Sequence, residues 1–496
     1  MGISITQESF SEAEYQAFSE RLYESLDCLK AVIDVTDFGS GQKFIGAELE
    51  NYIVDDKGQV QCLNQAIIQA SGDKRYTVEL NQFNLEVNFD PIEFNATPFS
   101  TLENQILQHQ QALQSVADEF SASIVPIGIL PTLQEKDLSR ESMTDLARYR
   151  SLSKQLYKMR GDKFKVNISG ADQLQYNCDH VAVEGANTSF QYHLMVDHQD
   201  FAKAFNAVQL VTPLVLALAA NSPIFLGQIL WDETRVALFK QSIDSRQRDN
   251  VEWRQPARVT FGHGWVRNNA WELFAEAVAL YPPMFPIVSD NPIAYSQGTQ
   301  SLPALEELCL HMGTIWPWNR PVYCPAQNGH IRIEMRALPA GPTAADMCAN
   351  AAFYTGLTKG LIDHIDDLLA VIPFRFAEYN FYRAAQRGLD ANVVWPSPSN
   401  HEPQEQAIAT VIEAMLPIAA NGLEALGVSK LERDRYLSNI INRLERRQTG
   451  ASWQKQQVRL CNETMDRKQA LAEMFERYRA WQKTGLPVSD WTFEKP

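Results

Sequence analysis

The sequence predicts an α+β fold: an antiparallel sheet with one charged face, helices over its other face, and a helical C-terminal flank. Three observations support that prediction. Four segments, 44–55, 83–90, 189–196 and 330–338, alternate with period two between apolar and polar residues. Segments before, between and after them carry apolar residues at helical spacing. The chain of 496 residues, 45% hydrophobic and 21% charged, has enough material for a core beneath both layers.

Taken in order, 8–33 and 101–120 place aliphatic and aromatic residues at helical spacing and read as helices lying over something else. In 44–55, Ile45, Ala47, Leu49 and Ile53 point one way, while Glu48, Glu50 and Tyr52 point the other, because side chains alternate across a strand. The segment 83–90 sets Phe83, Leu85, Val87 and Phe89 against Asn84, Glu86, Asn88 and Asp90. In 189–196, Phe190, Tyr192 and Leu194 oppose Ser189, Gln191 and His193. In 330–338, Ile331, Ile333 and Met335 oppose His330, Arg332, Glu334 and Arg336. Helical patterns return at 201–220, 344–369 and 405–483, the last broken near Gly427 and Gly450. Trp395-Pro396-Ser397-Pro398-Ser399-Asn400 reads as a linker, dividing a main domain at 1–395 from a helical extension at 396–496 packed on it.

The polar faces of those four strands are built from Glu, Asn, Gln, His and Arg, which is not the usual mixture of a solvated sheet surface. Carboxylates at i and i+2 on one strand repel each other by about 1 kcal/mol in a half-shielded setting, so a cation or base is expected between Glu48 and Glu50. The available donors are Glu48, Glu50, Glu79, Glu86 and Glu334 with one imidazole, His193. Hard oxygen donors without thiolates suit Mg²⁺ or Mn²⁺. Arg332 and Arg336 beside Glu334 point to phosphate, and so to a nucleotide triphosphate; pairing of Arg336 with glutamate is the plain alternative. Gly39-Ser40-Gly41-Gln42-Lys43 lacks the spacing of a P-loop, and neither GxGxxG nor GxSxG occurs.

Lys and Arg total 44 against 60 Asp and Glu, a net charge of −16. A field of that sign repels polyanions, so nucleic acid and anionic membrane are not expected partners. The seven cysteines are scattered, with no CxxC pair, as in a cytoplasmic protein with reduced thiols. No unbroken run of 18 apolar residues and no signal-peptide pattern is found, and Gly2 with Thr6 fits a myristoylation pattern only at chance level.

These residues are similar to those of a known family. The segment FIGAELENYIV resembles the GxExE strand of the glutamate-cysteine ligase and carboxylate-amine ligase superfamily, and Glu79 with Phe83-Asn84-Leu85-Glu86 resembles its second acidic strand. Arg148-Tyr149, Ser189 to His193, Ala219 to Pro223, and His311, Pro317 and Arg320 before His330 to Arg336 follow in the family's order. The stretch Tyr382 to Asp390 resembles a motif of the YbdK-like branch.

The resemblance implies a glutamine-synthetase-like fold, in which a curved antiparallel sheet forms a funnel whose acidic inner face binds Mg²⁺-ATP. It implies that Glu48, Glu50, Glu86 and Glu334 face metal, with Glu79 and His193 as further ligands. Arg332, Arg336 and His311 would serve ATP. Arg235, Arg246, Gln191 and Arg148 would serve substrate, with Arg235, Arg332 and Arg336 acting in catalysis. The implied reaction joins a small carboxylate, glutamate in the family's commonest case, to an amine such as cysteine through an acyl phosphate; a homo-oligomer is compatible with this. A non-catalytic binding protein on the same scaffold and a carboxylate-pair hydrolase are the alternatives. Glu48→Gln and Glu334→Gln are expected to leave the fold stable or stabilised by relieving repulsion. His193 stands where some members carry Asn, and 236–246 lacks the family's Asp-Thr-Asp pattern.

Overall fold

The computed structural model describes residues 5–35, 37–247, 255–293, 295, 302–326, 328–397 and 402–494. All four alternating segments form strands of one sheet. These are β1 (Phe44–Val54), β3 (Asn84–Asn88), β4 (Phe190–Met195) and β6 (His330–Met335). They are joined by β2 (Tyr76–Val78) and β5 (Asn319–Cys324) in the order β5-β6-β4-β1-β3-β2, with Ile92–Glu93 and Ser123–Val125 also pairing with β1. Every pairing in this sheet is antiparallel. Register aligns the polar positions: Glu50 opposes Glu86, Glu48 opposes Gln191, and Glu334 opposes both His193 and Arg320. Partners directly opposite lie on one face, so the division of faces read strand by strand becomes one continuous charged surface.

The apolar face packs under helices. Leu49, Leu85, Val87, Phe190, Leu194 and Ile333 share a core with residues of Glu12–Ile33, Pro98–Asp118, Phe201–Ala219 and Ala344–Leu361. The first helix starts at Glu12 because Ser11 and Glu14 form a reciprocal cap; Glu8 lies outside it and accepts from Arg150. The segment His198–Ala219 is long and apolar enough to cross a membrane, yet 94% of it is buried here as a core helix; Ile408–Ala425 passes the same test at 39%.

The division at 395/396 does not survive. Asn392–Pro396 and Pro403–Ala407 form an antiparallel hairpin across that boundary; Pro398 to Asn400 of the expected linker lie outside the described residues, as does Gly2. The C-terminal helices enter both cores. Ile408–Ala425 packs directly on Ala344–Leu361 at Gly422, where a Cβ would come 2.0 Å from the Gly356 carbonyl oxygen. Arg443 is buried in an ion pair with Asp346 at 3.1 Å. An amphipathic flank must cover its apolar stripe, and here it does so against the main body rather than as a separate unit.

Candidate active site on the charged sheet face

Two groups of ligand-type atoms gather on the charged face, each with its members within 4.8 Å of one another: Glu48, His193 and Glu334, and Glu50, Glu79 and Glu86. All six were singled out in the sequence as metal-facing.

The first group is charge-paired. Arg320 donates to both Glu334 oxygens, at 2.6 and 3.0 Å, and Arg336 to Oε2 at 3.3 Å. Burial alone would raise the Glu334 carboxyl, but Arg320 and Arg336 outweigh it and hold it well below the usual range. Arg332 Nε donates to His193 Nδ1 at 3.1 Å, so the ring proton lies on Nε2, 3.1 Å from Glu48 Oε1. Burial pushes Glu48 up, and His193 more than offsets it.

The second group has acids for neighbours. Burial, then the charges of Glu86, Glu50 and Glu184, raise Glu79 well above the ordinary range. Burial with Glu48 and Glu50 lifts Glu86 to about 8, although Thr77 and Asn88 donate to it at 3.0 and 2.8 Å. Glu50 is raised by burial against the pull of Arg235 and accepts from Ser189 N and Oγ, both at 2.9 Å, and from Gln191 at 3.1 Å. Gln191 also accepts from Arg336 and so joins the two groups.

Beyond Glu50 the face ends in a cavity lined by Glu50, Glu79, Glu184, Arg235 and Arg336 together with Asn84, Asn187, Ser189, Phe239 and Trp318. Arg235 opens the helix Arg235–Ser242 and is fixed by Glu233, 3.0 Å away, and by the Ala337 carbonyl at 3.1 Å. Glu233 accepts from Asn221 N, and the Asn221 side chain is held by Tyr478 and Gln454 from the C-terminal helices. The expected extension therefore braces this end of the site.

Gln191, Arg235, Arg332 and Arg336 stand on or beside the face as anticipated. Arg148 is at its edge, where it donates to the Val78 carbonyl and lowers Glu79. Two anticipated residues stand apart from it. Arg246 pairs with Asp244 at 2.7 Å and does not line the cavity. His311 sits inside the helix Glu306–Met312 with Nε2 3.1 Å from the Ala277 carbonyl, so its helix turns it into the core and away from any nucleotide on this face. Trp318 lines the cavity, while Trp395 borders a separate groove.

Sequence reasoning named Arg320 without giving it a role, and it missed Glu184. Arg320 lies on β5, where burial alternates residue by residue, and its pairing opposite Glu334 depends on a register that the sequence does not report. Glu184 lies in the short turn Glu184–Ala186, which has no period to read. Burial and Glu50 push its carboxyl up to about 8. The turn is anchored by Tyr52, which donates to the Ala186 carbonyl at 2.6 Å, and by Asn81, which donates to Ala182 at 2.8 Å.

A curled antiparallel sheet with helices packed on one face is the arrangement of the glutamine-synthetase-like fold. The Francisella tularensis glutamate–cysteine ligase, solved in complex with AMP, shares it with a TM-score of 0.52 over 92% of this chain and 91% of that one, at 11% identity. Residues 44–270 match glutamate-cysteine ligase family 2 (GCS2), so the resemblance to that family stands. A curated relative described as putative glutamate–cysteine ligase 2, from Trichormus variabilis (strain ATCC 29413 / PCC 7937), is 27% identical over 252 residues, 49% of this chain. The chain spans about half the length of that relative, 50%. A bifunctional glutathione synthetase from Pasteurella multocida aligns with a TM-score of 0.46 at 13% identity, over 92% of this chain and 54% of that one.

Proposed function

We propose that the protein is an ATP-dependent carboxylate-amine ligase of the glutamate–cysteine ligase type, forming an amide through an acyl phosphate. The observation that carries this reading is the meeting of two carboxylate groups and two arginines on one sheet face, beside a polar cavity. The AMP bound by the Francisella ligase supports nucleotide use by the same fold.

A divalent cation fits the second group. Glu50, Glu79 and Glu86 are hard oxygen donors whose carboxyls burial and mutual repulsion push up, as expected of a donor set short of positive charge. These three would hold Mg²⁺ or Mn²⁺, with Glu48 and His193 next to them. Both Glu334 oxygens are engaged by Arg320, so Glu334 serves as a ligand only by sharing them. The ion, when bound, supplies positive charge for phosphate oxygens.

The carboxylate substrate attacks the γ-phosphorus of ATP, and the bond to the β-phosphate oxygen breaks as ADP leaves. The amine then attacks the acyl carbon and phosphate departs. Arg332 and Arg336 face the transferring phosphoryl group, where fixed positive charge lowers the barrier most. Arg235, braced by Glu233, holds the substrate carboxylate. Incubation with ATP, Mg²⁺, L-glutamate and a panel of amines including L-cysteine tests the proposal. ADP release with a matching product mass supports it; no ADP with any pair sinks it.

A further inference from the structure

The cavity at the end of the charged face holds more unsatisfied polarity than a resting protein interior carries. Five buried atoms lining it have no hydrogen-bond partner: both amide atoms of Asn84, Asn187 Oδ1, Arg235 Nε and Trp318 Nε1. Asn84 and Trp318 are each 1% exposed and Arg235 3%. Buried groups of this kind are costly unless a ligand or water meets them. The enclosed space is ≈ 30 Å³, room for one water- or ammonium-sized group, and its mouth is open, so the rest of a ligand would extend out of it.

Its charges are sorted. Arg235 and Arg336 supply the positive charge; Arg235 is clamped through Nη1 by Glu233 and Ala337 and reaches the Arg336 carbonyl through Nη2 at 3.5 Å, which leaves Nε as its unpartnered donor. Glu184 supplies the negative side. It is not one of the three carboxylates clustered within 4.8 Å of one another, and among the described residues its carboxylate has no ion-pair partner. The rings of Phe239 and Trp318, 5.8 Å apart and edge to face, form an apolar wall between the polar groups. A carboxylate and an ammonium on one short carbon skeleton match this arrangement.

Resting on the ligase reading above, we infer that Glu184 holds the primary ammonium group of an amino-acid substrate in this cavity, while the Nε–H of Arg235 donates to the carboxylate of the same molecule. Two sources share that chemistry: the amino acid whose second carboxyl is activated, and the one whose amine attacks.

The test compares wild type with Glu184→Gln and Glu184→Asp, using L-glutamate and glutarate, which lacks the ammonium, as carboxylate donors. If the donor supplies the ammonium, wild type prefers L-glutamate by about 10²-fold or more in kcat/KM, and Glu184→Gln cuts that preference at least tenfold, with Glu184→Asp retaining part of it. If the acceptor supplies it, the preference stays and the KM for the amine rises at least tenfold in Glu184→Gln. The KM for ATP stays constant in both cases, which a general loss of structure would not leave untouched. Unchanged donor preference together with unchanged amine KM overturns the inference. Should wild type release no ADP at all, calorimetry with L-glutamate and L-cysteine in the absence of nucleotide still decides. Binding to wild type that Glu184→Gln loses supports the cavity's role, and no binding of either amino acid to wild type overturns it.

Discussion

The two ends of the charged face contain similar residues and opposite electrostatics. Around Glu48, His193 and Glu334, arginines stand within hydrogen-bond range and the carboxyls sit low. Around Glu50, Glu79, Glu86 and Glu184, acids face acids and the carboxyls sit high. A buried charge is tolerated either because a protein cation neutralises it or because it stays protonated until another cation arrives. One end is complete as folded; the other is set up to receive positive charge.

The largest effect expected from this contrast is on stability. Glu334→Gln strands Arg320 and Arg336 beside a neutral amide, in a site where the Glu334 side chain is 4% exposed. Loss of one partner from a buried pair costs about 3–5 kcal/mol, so the urea midpoint should fall sharply. This reverses the expectation from sequence, in which Glu334→Gln relieved repulsion; the reason is Arg320, whose register places it opposite. An unchanged or higher midpoint would contradict the pairing. Glu48→Gln also weakens an interaction, because the His193 hydrogen bond then ends on a neutral amide oxygen and not on a carboxylate.

At the acid-rich end the sign changes. Glu86→Gln should raise the midpoint of the metal-free protein while lowering kcat by about 10²–10³, the loss typical of removing one preorganised charged group. Measuring both on one preparation sharpens the comparison, since a variant that loses stability as well as rate would place Glu86 with the paired end.

The pH dependence should also split. Glu86 and Glu184 titrate near 8 when folded against 4.5 ordinarily, so their contribution to stability is full below 4.5 and is lost as pH rises through 8. Glu334 and Glu48 are lowered, so their contribution is present above 4.5 and is lost as pH falls below it. Thermal melting of the metal-free protein should therefore peak near pH 5, and Mg²⁺ should raise melting most at pH 8. A melting curve that rises steadily to pH 8 without metal would count against the acid-rich reading.

The smallest effect concerns the brace. Tyr478→Phe removes the hydroxyl that holds Asn221 and the Pro126 carbonyl and should cost about 1–3 kcal/mol. Its kinetic signature should be a higher KM for the carboxylate substrate with the KM for ATP unchanged, because the Asn221–Glu233 chain ends at Arg235.

The alternation in 44–55, 83–90, 189–196 and 330–338 was legible because the side-chain period of a strand is a local property of the backbone. It placed five of the six clustered ligand-type residues on polar faces before any pairing was known; Glu79 lies outside those segments and came from the resemblance. His311 and Arg246 were misplaced because helix orientation and a local Asp244 partner decide where those side chains go, and order along the chain does not report either. Arg320 was left without a role and Glu184 was missed for the converse reason: the partner of the one is set by strand register, and the other sits in a turn. The boundary at 395/396 failed because tryptophan and proline there also suit a strand, where they pair with Gln404 and Pro403.

By itself, then, the sequence determined which residues face the charged side of the sheet, since alternation needs no partner. Only the tertiary structure decided which acids meet arginines and which meet one another. Coulomb energy depends on distance and burial, and those are set by strand register and by loops from remote parts of the chain.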